Sequence, residues 1–270
     1  MIDAVYDLHT HTRFSDGSAM DEMVSAAAEA GCDGIGLTDH CILVDDEFGR
    51  RDKYDLVNTY EQRREQIEEL RTRTDIRVFD AVEMSYVPGT EPDIRSFLDT
   101  AAFDYSIGAV HFAGDNDYTS SASYVNRDDQ GVQAAVDEYY ETLVELIESE
   151  LFDIVAHLDL PERHDHLRGM TTPDHYRAVV DAVANSRTIP EINAGRVFQS
   201  LGRVHPDPVV LDMFTARNIR FVLGTDSHTL DEIGRRLPAL RDLLAHHPDL
   251  DIRAPPSTGV GSEPKESAGV

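Results

Sequence analysis

Two periods alternate along the chain. Short runs rich in apolar and β-branched residues read as strands: "AVYDLH" (residues 4–9), "GIGLTDH" (34–40), "IRVFDAVEM" (76–84), "YSIGAVHF" (105–112), "DIVAHLD" (153–159), "TIPEINA" (188–194) and "IRFVLGTD" (219–226). Between them, apolar positions three and four apart read as helices. Ser18 and Asp21 resemble a capping box opening a helix that Gly31 would stop. Residues 55–73 form a long, charged segment punctuated by Leu and Ile. Thr172 and Pro173 suit a helix N-cap and first turn, and residues 230–246 close the series. Strands alternating with helices predict an α/β fold, a parallel sheet with helices on its faces. Seven strands suit either an open sheet or a closed barrel.

The chain has 270 residues, enough for one large domain with a sizeable core. Residues 1–253 are expected to form that domain. Residues 254–270, rich in Pro, Gly and Ser, are expected to be a disordered tail. The polar stretch 114–131 is long for a loop, which suggests that it covers a site. No apolar run approaches the ~20 residues that span a bilayer. The first residues lack a secretory pattern, so a cytoplasmic location is expected. Cys32 and Cys41 do not form a C-x-x-C pair. Two reduced structural thiols are the simpler reading, with a thiolate ligand at Cys41, beside His40, as the alternative.

Charge changes the picture. The formal net charge is −27, and Lys53 and Lys265 are the only lysines. A surface this acidic repels nucleic acid and anionic membranes at long range. The acid is dispersed rather than gathered in a tail. Such a composition suits a cytoplasm at molar salt, as in a haloarchaeon, where the Debye length falls to about 3 Å.

The candidate chemistry sits at the strand ends. In a strand, residues i and i+2 share a face, so Asp7, His9 and His11 are expected to project together. The second run ends in Asp39 and His40, the third in Glu83, the fourth in His111, and the fifth in His157 with Asp159. The sixth carries Glu191, and the seventh ends in Asp226 with His228. In a parallel β/α architecture these ends share one rim, where active sites lie. So many histidines there are hard to explain as packing. Nitrogen and carboxylate donors without thiolate favour Zn, Mn or Fe. The ligands are too many for one ion, which implies two or three. Asp7 and Asp39 are read as groups that orient neighbouring imidazoles. Arg163 and Arg196, just beyond the rim, are candidates for bidentate phosphate contact. Glu191 and Asn193 leave two readings open, holding a substrate amine or anchoring a loop. His164, His166, His175, His246 and His247 are read as solvated, and His205 is left open.

The stretches "DLHTHTRFSDG", "LTDH", "VEMSYVPGTE", "IGAVHF", "AHLDLPER", "EINAGR" and "LGTDSH" resemble, in order, the motifs of the PHP (polymerase and histidinol phosphatase) family. The resemblance implies a distorted seven-stranded β/α barrel holding up to three metals. It implies one metal on His9, His11, Glu83 and Asp226, a second on Glu83, His111 and His157, and a third on Asp16, His40 and His228. "VEMSYVPGTE", "IGAVHF" and "AHLDLPERH" are similar to the histidinol-phosphate phosphatase branch. That branch implies hydrolysis of a small phosphate monoester, L-histidinol phosphate, by a metal-bridging hydroxide. One departure is Asp16, where many histidinol phosphatases carry His. The alternative within the family is a nucleotide phosphatase or a 5'-3' exonuclease-like phosphoesterase.

Overall fold

Each apolar run forms a strand, in most cases shorter than the run itself, and His111, His157 and Asp226 lie just past the ends of theirs. In the computed structural model, which describes residues 5–44 and 56–255, the chain runs β1 (Tyr6–Thr10), α1 (Met20–Glu29), β2 (Gly34–Leu37), β3 (His40–Cys41), α2 (Leu56–Arg71), β4 (Arg77–Ser85), α3 (Glu91–Ala101) and β5 (Tyr105–Ala109). A hairpin of β6 (Phe112–Ala113) and β7 (Asn116–Asp117) leads to α4 (Asp129–Glu148) and β8 (Ile154–Val155). Then come α5 (Pro173–Ala184), β9 (Ile189–Asn193), α6 (Pro208–Thr215), β10 (Arg220–Gly224), α7 (Leu230–His246) and β11 (Asp251–Ile252). Of the expected tail, residues 254–270, all but the first two lie outside the described residues. No helix among the described residues is long and apolar enough to cross a membrane.

The main sheet has the order β1-β2-β4-β5-β8-β9-β10-β11, with β3 beside β4. All of its pairings are parallel. Seven of these strands match the expected seven; β3 and β11 are short additions. The sheet curls until its first and tenth strands meet. Asp226 N–H donates to His9 O at 2.7 Å, and His11 N–H donates to Ser227 O at 2.9 Å. The seam closes only at the C-terminal rim, because β11 occupies the start of the same β10 edge, at Arg220 and Phe221. The barrel is therefore closed at the rim and interrupted by β11 at the opposite end.

Two apolar layers hold this shape. Leu8, Ala81, Tyr105, Ile107, Ala109, Ile154, Ala156 and Val222 form a cluster drawn from the strands and their ends, inside the curled sheet. A larger cluster joins the outer face to the helices; Met23, Ile67, Tyr139, Val179, Phe214 and Leu237 are among its members. Cys41 packs in that outer core, so it is a structural thiol rather than a ligand. Burial raises the Cys32 thiol to about 12.

Some local expectations change. Ser18 does not cap α1: its hydroxyl donates to His228 O at 3.1 Å, and the N-cap is Ala19, without a side-chain bond. A tertiary partner outcompetes the local cap. Gly31 does end this helix, in the left-handed conformation (φ +78°). Thr172 and His175 form a reciprocal capping box on α5. The stretch 114–131 is not an open loop, since it contains β7 and a 3-10 turn at Ser121–Tyr124.

Candidate metal centre

The rim is built by bends as much as by strands. The register of β1 against β2 slips between Asp7 and Thr10. A bulge of this kind re-aims side chains, and it breaks the simple alternation expected for Asp7, His9 and His11. His9 and His11 enter the cluster. Asp7 instead accepts from Thr225 N–H (2.9 Å) and Thr225 Oγ1 (2.6 Å), which ties β1 to the end of β10. His157 (φ +55°) and Asp226 (φ +54°) adopt left-handed backbone just past β8 and β10. His and Asp tolerate this region better than most residues, and such strain concentrates at functional sites.

Glu83, fully buried on β4, is the centre. Its oxygens lie 2.5 Å from His40 Nδ1, 3.3 Å from His111 Nε2, 3.5 Å from His9 Nε2, 3.6 Å from His157 Nδ1 and 3.7 Å from His11 Nε2. Asp226 lies beside the same group, 3.3 Å from His11 Nε2 and 3.4 Å from His157 Nε2. Asp16 Oδ1 is 3.4 Å from His228 Nε2 and 3.7 Å from His40 Nε2. The His11 ring stacks between those of His40 and His228, with centroids 4.2 and 4.1 Å away. All nine expected ligands thus converge. Donor atoms lie within 4.8 Å of one another in four sets: His11, Asp16, His40 and His228; His9, His11 and Glu83; His40, Glu83 and His111; and His9, His157 and Glu191. His11 therefore also belongs beside the Asp16 set, which the motifs alone did not indicate.

These residues fit metal ions for a specific reason. His9 Nε2, both ring nitrogens of His11, both oxygens of Glu83 and both ring nitrogens of His157 are buried without a hydrogen-bond partner. Buried polar atoms are almost always paired. A concentration of unpaired donor atoms pointing at one another is the arrangement a cation completes. The protein's own charges show the same demand. Burial opposes charge on His9, yet Glu191, Glu83 and Asp226 outweigh it and hold His9 well above its usual value. Burial lowers His11 to about 3, helped by the neighbouring His228 and His40. Burial likewise lowers His157 to about 4. Burial would raise Glu83 and Asp226, but the surrounding imidazoles keep both carboxylates well below their usual range. Carboxylates held low and the neutral rings of His11 and His157 are in the states that bind metal, whereas the proton held on His9 by its three carboxylate neighbours is one that an ion would displace.

The orienting partners differ from those expected. Glu191 Oε1 accepts from His9 Nδ1 at 2.8 Å, Ser85 Oγ bonds His111 Nδ1 at 2.7 Å, and Asp226 O bonds His228 Nδ1 at 3.1 Å. Glu191 reaches His9 only because residue 224 is glycine: a Cβ there would lie 2.0 Å from Glu191 Oε1. Among the described residues neither Asp7 nor Asp39 hydrogen-bonds an imidazole ring. Asp39 instead accepts from Thr12, Ser15 and Arg63. Long-range pairing decided these roles, and adjacency in sequence could not.

A pocket of about 280 Å³ opens over the centre. Its walls include His111, Thr119, Leu160, Arg163, Arg196 and His228. Arg163 is buried and held on three sides. Its Nη2 donates to Asn193 Oδ1 (2.9 Å), its Nε to His205 Nε2 (3.1 Å) and its Nη1 to Asp226 Oδ2 (3.4 Å). His205 is buried, and its other nitrogen bonds Asp159. It is thus part of the site's support. Arg196 is half-buried and bonds Gln199; burial and then the Arg163 charge lower its pKa. His164 is not solvated as expected. It is buried and binds Tyr118 O, anchoring the 114–131 stretch whose Tyr118 and Thr119 flank the pocket. His175 is half-buried, stacked on Tyr140.

Comparison with known proteins agrees with this picture. The PHP domain family matches residues 7–194. A Deinococcus radiodurans protein described as "Probable histidinol-phosphatase" is 28% identical over 237 residues, covering 85% of this chain and 88% of that one. A solved histidinol phosphate phosphatase from Lactococcus lactis, in complex with Zn, L-histidinol and phosphate, shares the fold. It has a TM-score of 0.75 at 20% identity, covering 94% of this chain and 97% of that one.

Proposed function

The chain belongs to the PHP domain family and is a phosphoric monoester hydrolase, and from that premise we propose that its substrate is L-histidinol phosphate, hydrolysed at a centre of two to three divalent ions. One ion is assigned to His9, His11, Glu83 and Asp226, a second to Glu83, His111 and His157, and a third to Asp16, His40 and His228. Zn, Mn or Fe suits these nitrogen and carboxylate donors. The observation that carries the reading is the set of buried, unpaired donor atoms on His9, His11, Glu83 and His157, roofed by a pocket that holds two arginines. Ions held by these residues would supply Lewis-acid neutralisation of phosphoryl charge and would lower the pKa of bound water towards neutrality.

The chain's own residues do the rest. Arg163 presents a guanidinium whose plane is set by Asn193, His205 and Asp226, so little freedom is lost when it meets a phosphate oxygen. Arg196 supplies a second cation from the loop after β9. Glu191 fixes the ring of His9 and selects which nitrogen faces the centre. The pocket, at about 280 Å³, is sized for a small molecule, near the lower end of the roughly 300–1,000 Å³ typical of ligand sites. In a chain of charge −27, these cations and the ions also make the rim hospitable to an anion.

A phosphatase panel tests the proposal directly. Histidinol phosphate, nucleoside monophosphates and short oligonucleotides are offered to metal-loaded protein and to protein treated with a chelator. Histidinol phosphate is expected to turn over fastest, with chelation abolishing the reaction. Faster cleavage of nucleotides or oligonucleotides would establish the alternative PHP activity instead, and full activity without metal would end the metal reading.

A further inference from the structure

Three residues of one ligand set depend on a single buried anchor. Asp39, fully buried, immediately precedes His40. Its carboxylate accepts from Thr12 N–H at 2.6 Å, from Thr12 Oγ1 at 2.8 Å and from Ser15 Oγ at 3.0 Å. Thr12 follows His11, and Ser15 precedes Asp16. The one carboxylate therefore sits a single residue away from His11, Asp16 and His40, three members of the set completed by His228. The remaining ligands have other supports: Glu191 for His9, Ser85 for His111 and a left-handed turn for His157.

Asp39 is held in turn from behind. Arg63 projects from α2, is fully buried, and donates from Nε to Asp39 Oδ2 at 2.6 Å. The rest of its guanidinium binds Asp80, Leu37 O and, at 3.0 Å, Ala81 O. The fork is thereby locked between the ends of β2 and the middle of β4. A rigid planar fork can hold a carboxylate in one orientation, which a flexible ammonium cannot.

We propose that Arg63 and Asp39 are a positioning pair that sets the affinity of the ion position at Asp16, His40 and His228, with a smaller effect on the position that shares His11. The pair rests on the reading of the rim as a multi-ion centre. With it in place, the turn from Thr10 to Ser18 is ordered before an ion arrives. Without it, ion binding must order that turn, and affinity falls. Partners one step behind a ligand commonly change metal affinity by about 10–100-fold.

The test uses full-length protein, stripped of metal and titrated with Zn²⁺ alone. Stoichiometry is read by elemental analysis, and individual affinities by calorimetry. Arg63→Lys keeps the buried charge but loses the fork. Thr12→Val removes a hydroxyl and keeps the backbone bond, so it carries the test even if the Arg63 variant does not fold. Arg64→Lys is the control: Arg64 shares Asp80 with Arg63 (2.6 Å) and otherwise reaches the carbonyls of Ala101 and Ala102 rather than Asp39. In Arg63→Lys and Thr12→Val, one ion is expected to bind about 10–100-fold more weakly, the ion that shares His11 to weaken less, and the ion at Glu83, His111 and His157 to keep wild-type affinity. Arg64→Lys is expected to match the wild type. Equal weakening of every ion, the same loss in Arg64→Lys, or unchanged affinities in both test variants would overturn the pair. A wild type that binds no Zn²⁺ would overturn the multi-ion reading and the pair with it.

Discussion

Replacing Arg163 by Met removes the best-placed cation over the centre while keeping most of the side-chain volume. Two unit charges about 4 Å apart at an effective dielectric constant of 20 attract by about 4 kcal/mol, an upper bound for its contact with a phosphate oxygen. Hydrogen bonds to charged groups contribute about 1.5–3 kcal/mol net. The expected loss in kcat/KM for histidinol phosphate is therefore about tenfold to a hundredfold. Bound metal should not change, because Asp226 keeps its contacts to His11 at 3.3 Å and His157 at 3.4 Å. Arg163→Lys should rescue little, since an ammonium cannot meet Asn193, His205 and Asp226 in one plane. Arg196→Met should cost less, because among the described residues Arg196 donates a side-chain hydrogen bond only to Gln199 and loses more freedom on engaging a phosphate. Steady-state kinetics and elemental analysis on the same samples decide the matter. Wild-type kcat/KM in Arg163→Met would refute the assignment, and parallel loss of metal would show that Arg163 serves the centre's integrity rather than the phosphate.

Two further outcomes are expected. Glu191→Gln leaves the ring of His9 with an uncharged partner at the 2.8 Å contact and should weaken ion binding by about 10–100-fold; unchanged Zn²⁺ affinity would remove Glu191 from the support of the centre. The charge of −27 should make the fold depend on screening, so the melting temperature should rise steeply towards molar KCl, where the Debye length is about 3 Å; equal melting in dilute buffer and in molar KCl would contradict the halophilic reading.

The alternation of periods and the residue types at strand ends were decided by the sequence. A strand is recognisable locally because apolar burial on both faces of a parallel sheet needs a continuous apolar run. A candidate ligand at its end is recognisable because a buried His, Asp or Glu there needs a partner, and a metal ion is one such partner. Hence the nine converging residues, Asp226 among them, the α/β class and the cap at Thr172 were all legible. Contacts distant in sequence decided the rest. The bulge that separates Asp7 from His9 depends on pairing with β2 and on Thr225, 218 residues away. Ser18 has a good local cap pattern but bonds His228 O, 210 residues on. Glu191 orients His9 across 182 positions, through space that only Gly224 leaves open. The burial of His164 and His205 follows from turns packing over the rim. A side chain's composition and local period limit what it can do; which partner it meets is settled only when strands far apart in the chain close into one rim, and there the cost of an unpaired buried group selects the arrangement.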